Sequence, residues 1–163
     1  MAINKEKKES IITNVKNILK DSLSVVFVNF HGLSVFDTTE IRKTLRSKGL
    51  GYYVAKKTLT GIALDGEKIE GKKMDLPGEV AMVYGKDNLA PSREIFLFQK
   101  KLKEKISIVG GIFDGSYKNK EEMTIIAQIP PLDMLRGQFV NIINSPIQRF
   151  VVALNEIAKT KTQ

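Results

Sequence analysis

Apolar positions along the chain alternate between short continuous runs and stripes at helical spacing. Val25–Phe30 is a compact run of β-branched and aromatic residues, the pattern of a buried strand. After the turn His31-Gly32-Leu33, Ser34 and Asp37 stand at the spacing of a capping box. They predict a helix from about Val35 to Lys48, stopped at Gly49 by a residue suited to the left-handed C-terminal position. Tyr52–Ala55 reads as a second strand, with Thr58 able to cap the helix that follows. A crossover of this length predicts parallel strands whose carboxyl ends share one edge of a sheet.

The pattern continues on both sides of this unit. Residues 1–21 read as an amphipathic helix with Ile11, Val15, Ile18 and Leu19 on one stripe and Asn4 as candidate cap. Asp65–Gly78, rich in glycine, reads as a loop or broken helix, and Glu79–Tyr84 as a third strand. Pro91 suits the first position of a helix reaching about Glu104. Ile106–Phe113 is a fourth strand, whose Gly110-Gly111 pair marks a bulge or a close backbone approach. Asn119 caps a helix through Ala127, with Glu121 and Glu122 in its first turn, and Ile129-Pro130-Pro131 ends it. The fold predicted is α/β (α+β): a mixed sheet of about four strands flanked by helices, with a projecting C-terminal helix.

Beyond Pro131 the chain changes character. Leu132–Asn144 predicts a helix, and Ser145-Pro146 a break, because the residue before proline avoids helical geometry. From Ile147 to about Thr160, Ile147, Phe150, Val151, Leu154, Ile157 and Ala158 share one stripe. Left in water, five large apolar groups forgo about 8–15 kcal/mol at roughly 1.5–3 each. The stripe therefore needs cover, from its own domain or from another protein. The organisation expected is 1–131 as an α/β domain, 132–145 as connecting helix and hinge, and 146–163 as a C-terminal helix.

Charge changes the picture most in the first third. The chain of 163 residues carries a formal +8 with an isoelectric point near 9.6. Residues 1–60 hold 11 Lys/Arg against 5 Asp/Glu, a net +6, and the rest hold 15 against 13, a net +2. Lys56-Lys57 follow the second strand and His31-Gly32 the first, at the sheet edge where α/β proteins favour ligands. Arg42 and Arg46 share a helix face opposite Ile41 and Leu45. This arrangement suits a polyanion, although a solvated charged face would look the same. Lys5, Lys7, Lys8 and Lys16 are expected to lie away from the N-terminal stripe. Crowding of lysines in a first turn opposes the helix dipole, which an anionic partner would relieve. The alternative is a terminal helix that only covers the sheet. Lys100, Lys101, Lys103 and Lys105 need no ligand, since cations at a helix C-terminus are favourable.

Several chemistries are set aside. Without cysteine there are no disulfides and no thiol metal sites. No run approaches the roughly 20 apolar residues of a spanning helix, and the N-terminus reads as neither signal nor transit peptide. Gly110-Gly111 and Asp114-Gly115 match neither a dinucleotide fingerprint nor a phosphate loop, so they read as bulge and hairpin glycines. His31 is the only histidine, with no nucleophile arrangement or ligand cluster around it. An enzyme is therefore not expected, and neither a cofactor nor a metal. The alternatives are a small α/β enzyme using the same sheet edge and a membrane-surface or general nucleic-acid-binding module.

Three segments carry a resemblance. Phe30-His31-Gly32-Leu33-Ser34, Glu40-Ile41-Arg42-Lys43-Thr44-Leu45-Arg46 and Val54-Ala55-Lys56-Lys57-Thr58-Leu59 closely resemble the signature of the large-subunit ribosomal protein ten family. Lys57 stands where that pattern usually has asparagine, and His31 where a basic or polar residue is common. Members form the base of the ribosomal stalk. The resemblance implies a non-enzymatic cytoplasmic scaffold that binds large-subunit ribosomal RNA near the GTPase-associated centre, beside large-subunit protein eleven. It implies RNA contacts at Lys5, Lys7, Lys8, His31, Gly32, Arg42, Arg46, Lys56, Lys57 and Thr58. It also implies that the C-terminal helix carries dimers of the acidic stalk protein (large-subunit protein seven/twelve). The shortness of that segment suggests two dimers.

Overall fold

The structure, a computed structural model, describes residues 5–161 except 68, 72–73 and 103–104. The candidate cap Asn4 and the lysine at 103 lie outside the described residues. Two units are present, Met1–Ile129 and Pro130–Gln163. The first contains, in chain order, α1 (Lys5–Asp21), β1 (Ser24–Phe30), α2 (Val35–Ser47), β2 (Gly51–Val54), α3 (Lys57–Asp65) and β3 (Val80–Gly85). It continues with α4 (Ala90–Lys101), β4 (Ile106–Phe113), β5 (Ser116–Asn119) and α5 (Lys120–Ala127). The second is the helix α6 (Leu132–Lys161).

The sheet has the order β2-β3-β1-β4-β5, and every neighbouring pair is antiparallel. The α/β class holds, while the expected mixed sheet of about four strands is a five-stranded antiparallel one. β1 and β2 do run the same way, because each is antiparallel to β3, which lies between them. Their carboxyl ends therefore share an edge, as the crossover length predicted. The extra strand, Ser-Tyr-Lys-Asn, is short and polar, as edge strands commonly are. It is reached through a two-residue turn, Asp114 (φ 50°) and Gly115 (φ 73°). Positive φ at both positions is the type I′ geometry that matches the twist of a hairpin.

Helices cover both faces. On one, Ile41 and Leu45 of α2, Ile95 and Phe98 of α4 and Met123 of α5 pack on Val26 and Val28. On the other, Val15 of α1 and Ala63 and Leu64 of α3 pack on Val25 and Phe27. Alternation along β1 thus feeds two cores, so the strand reads as a continuous apolar run.

Local signals hold where the chemistry is local. Ser34 caps α2 by accepting from the Asp37 N–H at 3.1 Å, and Gly49 (φ 71°) follows its C-terminus. The N–H of Asn119 donates to Glu122 Oε2 at 3.0 Å at the start of α5. Thr58 is not the cap of α3. The Lys56 carbonyl already accepts from the Leu59 and Thr60 N–H groups at 2.9 and 3.0 Å, so Lys56 holds the cap position. Ser145-Pro146 does not break the chain either: α6 is helical from Leu132 to Lys161 with Pro146 inside it. The ring deletes one bond, to the Ile142 carbonyl, and about eight helical turns of flanking sequence carry the helix past it.

Candidate nucleic-acid and protein interfaces

β1 and β2 deliver Phe30 and Val54 to the same edge, where α3 begins. Between them lies an open cleft of about 660 Å³ walled by Ile11, Phe30 and Val54, with Lys56, Lys57, Thr58 and Glu79 also lining it. The Phe30 N–H donates to the Glu79 carbonyl at 3.1 Å, which ties β1 to the start of β3 across one side of the cleft. Both lysines are exposed, and among the described residues neither is in an ion pair. α3 opens here with no side-chain cap and no acidic residue in its first turn. That leaves positive potential uncompensated at the rim.

α1 reaches the same place through Ile11. Lys7 and Lys8 precede Ile11 by four and three residues, so they share its side of the helix and continue the stripe rather than avoiding it. Lys5 stands one turn further out, and all three are exposed. Lys16 is half-buried beside Gly66, where a Cβ would come within 3.0 Å of its Nζ.

The remaining cations are elsewhere. Arg42, Lys43 and Arg46 line a separate hollow of about 530 Å³ on α2, with Thr39 and Ser47. The Arg42 guanidinium lies 5.3 Å from the centre of the Tyr52 ring. Burial pushes the Tyr52 phenol above its ordinary pKa, and the nearby Arg42 charge opposes that rise. α2 belongs to the layer that packs on Val26 and Val28, and α3 to the opposite layer, so the arginines are not gathered with Lys56 and Lys57. His31 is exposed, and its N–H donates to the Lys105 carbonyl at 3.1 Å; Gly32 turns the chain at φ 65°. Lys105 in turn pairs with Asp37 at 3.6 Å, closing this corner into a structural tie. Sequence reasoning passed over Lys43, which only the shape of the hollow singles out. It also passed over the apolar cleft walls, since Phe30 and Val54 look like ordinary strand residues.

Taken by itself, α6 is an apolar surface. Phe139, Ile143, Ile147, Phe150, Leu154 and Ile157 are spaced four, four, three, four and three apart, one face running past Pro146 without a change of register. All are exposed, Phe139 and Phe150 at 65% each. Val151 and Ala158 flank that face and are exposed too.

A basic α/β domain with shallow hollows, joined to an uncovered apolar helix, defines a scaffold-type binding protein. Among the described residues, no group of three or more His, Asp or Glu could hold a metal, and no helix is long and apolar enough to cross a membrane. The sequence profile of ribosomal protein L10 matches residues 3–101. The chain is 31% identical to the large ribosomal subunit protein uL10 of Shouchella clausii, over 97% of this chain and 95% of that one. Identity to the protein of the same name from Pelotomaculum thermopropionicum is 29%, over 99% and 98%. For the one from Rhodospirillum rubrum it is 29%, over 90% and 85%. The chain belongs to the ribosomal protein L10 family. The ribosomal, cytoplasmic and non-enzymatic character implied by the resemblance is that of this family.

Proposed function

We propose that this chain is the stalk-base protein of the large ribosomal subunit. Its first unit binds large-subunit ribosomal RNA close to large-subunit protein eleven, and α6 anchors dimers of the acidic stalk protein. The observation that carries the reading is the uncovered apolar face of α6 on a chain whose excess positive charge lies in its first 60 residues. An amphipathic helix of this kind is captured in a groove of a partner, which buries the face. An acidic partner is attracted to the basic chain without competing for the face itself. The RNA-facing groups are Lys5, Lys7, Lys8, Lys56 and Lys57 around the cleft, with Thr58, His31 and Gly32 on the same edge and Arg42 and Arg46 as a second patch on α2. The anchoring residues are Ile147, Phe150, Val151, Leu154, Ile157 and Ala158. Because the face continues to Phe139, residues 132–145 extend the anchor.

The test is reconstitution with the acidic protein, measuring the mass of the complex for the full chain and for chains ending at Asn144 and at Ile129. Two dimers are expected on the full chain, fewer on the first truncation and none on the second. An unchanged mass after removal of all of α6 would overturn the anchoring role. For the RNA half, phosphate contacts from Lys7, Lys8, Arg42, Arg46, Lys56 and Lys57 predict a log-affinity slope against log salt of about −4 to −5. A flat response would overturn it.

A further inference from the structure

The geometry points to the cleft between Phe30 and Val54 as the seat of one unstacked RNA nucleobase, with its backbone phosphates held by Lys56 and Lys57. The inference rests on the RNA-binding reading and names what that edge would recognise. A docked RNA duplex presents phosphates, for which exposed lysines suffice; it has no use for an apolar cleft. Yet Lys56 and Lys57, exposed and in no ion pair among the described residues, line just such a cleft, about 660 Å³ in volume and walled by the Phe30 ring with Ile11, Val54, Ala55 and Val80. Val54 remains 42% exposed at its mouth. RNA is read mainly through splayed bases that stack on aromatic groups and hydrogen-bond along their edges. A base has two apolar faces, a polar rim and a charged tether, and the cleft offers a counterpart to each.

Glu79 adds discrimination. It is exposed at the cleft, and a carboxylate accepts hydrogen bonds without donating them. It therefore suits a base with an exocyclic amino group (adenine, cytosine or guanine) over uracil, whose single N3–H lies between two carbonyls. The charge pattern favours an occupant that carries negative charge beside an apolar face, which an apolar protein side chain does not.

The experiment uses the full chain, large-subunit ribosomal RNA, and short oligoadenylate and oligouridylate strands. The chain has no tryptophan, so Phe30→Trp places a single indole in the cleft wall, while Val54→Trp fills the space. Filling is expected to lower ribosomal-RNA affinity by roughly 5- to 150-fold, the range for losing one stacked base, with the salt slope unchanged. The Phe30→Trp emission is expected to be quenched on binding, more by oligoadenylate than by oligouridylate, and Glu79→Gln to narrow that difference. Wild-type affinity in the filled variant, or a Phe30→Trp emission that RNA does not change, overturns the inference. A steep salt slope in the same titration would leave the RNA-binding reading standing. Should Val54→Trp not fold, the Phe30→Trp emission decides alone. If the filled variant binds RNA normally but is excluded from large subunits, a protein side chain occupies the cleft and the inference is wrong. Failure of the wild-type chain to bind ribosomal RNA overturns both readings.

Discussion

At Gly111 a methyl group would stand 2.6 Å from the Val25 carbonyl oxygen and 2.8 Å from Met123 Cε. A backbone oxygen in the middle of a sheet has nowhere to move. Gly111→Ala is therefore expected to destabilise the domain by about 1–3 kcal/mol, read from the urea midpoint at unchanged m-value. The neighbouring irregularity has a different origin: Phe27 faces Gly110 while Val28 faces Ile108, so Val109 is the extra residue of a β-bulge. Both readings of the glycine pair, bulge and close approach, are thus realised within three residues. Tyr52 supplies a pH prediction. Its phenol is held above the ordinary value by burial, so the unfolded chain loses the proton first. Stability from this group is whole below the unfolded pKa of about 10 and falls as pH rises through the folded one. Denaturant midpoints measured from pH 9 to 11.5 should drop less steeply in Tyr52→Phe than in the wild type.

For whole elements, helix starts and stops follow short-range chemistry, and the exceptions show its reach. Ser34, Gly49 and Asn119 act within a few residues of themselves, and each is found at its predicted place. α3 starts two residues earlier than a Thr58 cap would have it, because extended backbone at Lys56 (ψ 131°) suffices without a side-chain cap. Pro146 is the clearest case of context over propensity. An interior proline costs about 3 kcal/mol, yet the apolar face keeps its register on both sides, so one continuous helix serves it. Pro146→Ala should restore the bond to the Ile142 carbonyl and slow proteolytic cleavage between residues 140 and 150 by at least tenfold. Equal cleavage rates would mean that the proline does not weaken the helix.

For the whole molecule, both apolar clusters are built from residues between Ile11 and Ile126. A chain ending at Ile129 is expected to keep the thermal midpoint of the full protein within about 2 °C, a shift worth well under 1 kcal/mol for a domain of this size. A larger fall by calorimetry would show that α6 contributes to folding the first unit. Within one helical layer, Lys48 Nζ pairs with Glu94 Oε1 at 2.6 Å, joining the C-terminus of α2 to α4, and the carboxylate is nearly buried. Lys48→Ala should therefore cost more than Glu94→Gln in urea unfolding, because it strands a nearly buried carboxylate without its cation, whereas Glu94→Gln keeps the packing beside Phe98. In the glutamine variant the exposed ammonium of Lys48 simply returns to water.

What the amino-acid order determined by itself is everything carried by neighbours: the runs that become β1, β3 and β4, the caps of α2 and α5, the charge excess of the first 60 residues and the apolar stripe of α6. The Phe-His-Gly-Leu-Ser and Val-Ala-Lys-Lys-Thr-Leu segments carried the family as well. Only the tertiary structure decided that β3 slides between β1 and β2, that Ser116–Asn119 becomes a fifth strand, and that the arginines of α2 and the lysines of α3 stand on different layers. Those outcomes depend on pairings between residues far apart in the chain, where loop entropy and sheet register choose the partner and no local pattern records the choice. The cleft is of the same kind, since its walls come from α1, β1 and β2 and exist only where those elements meet.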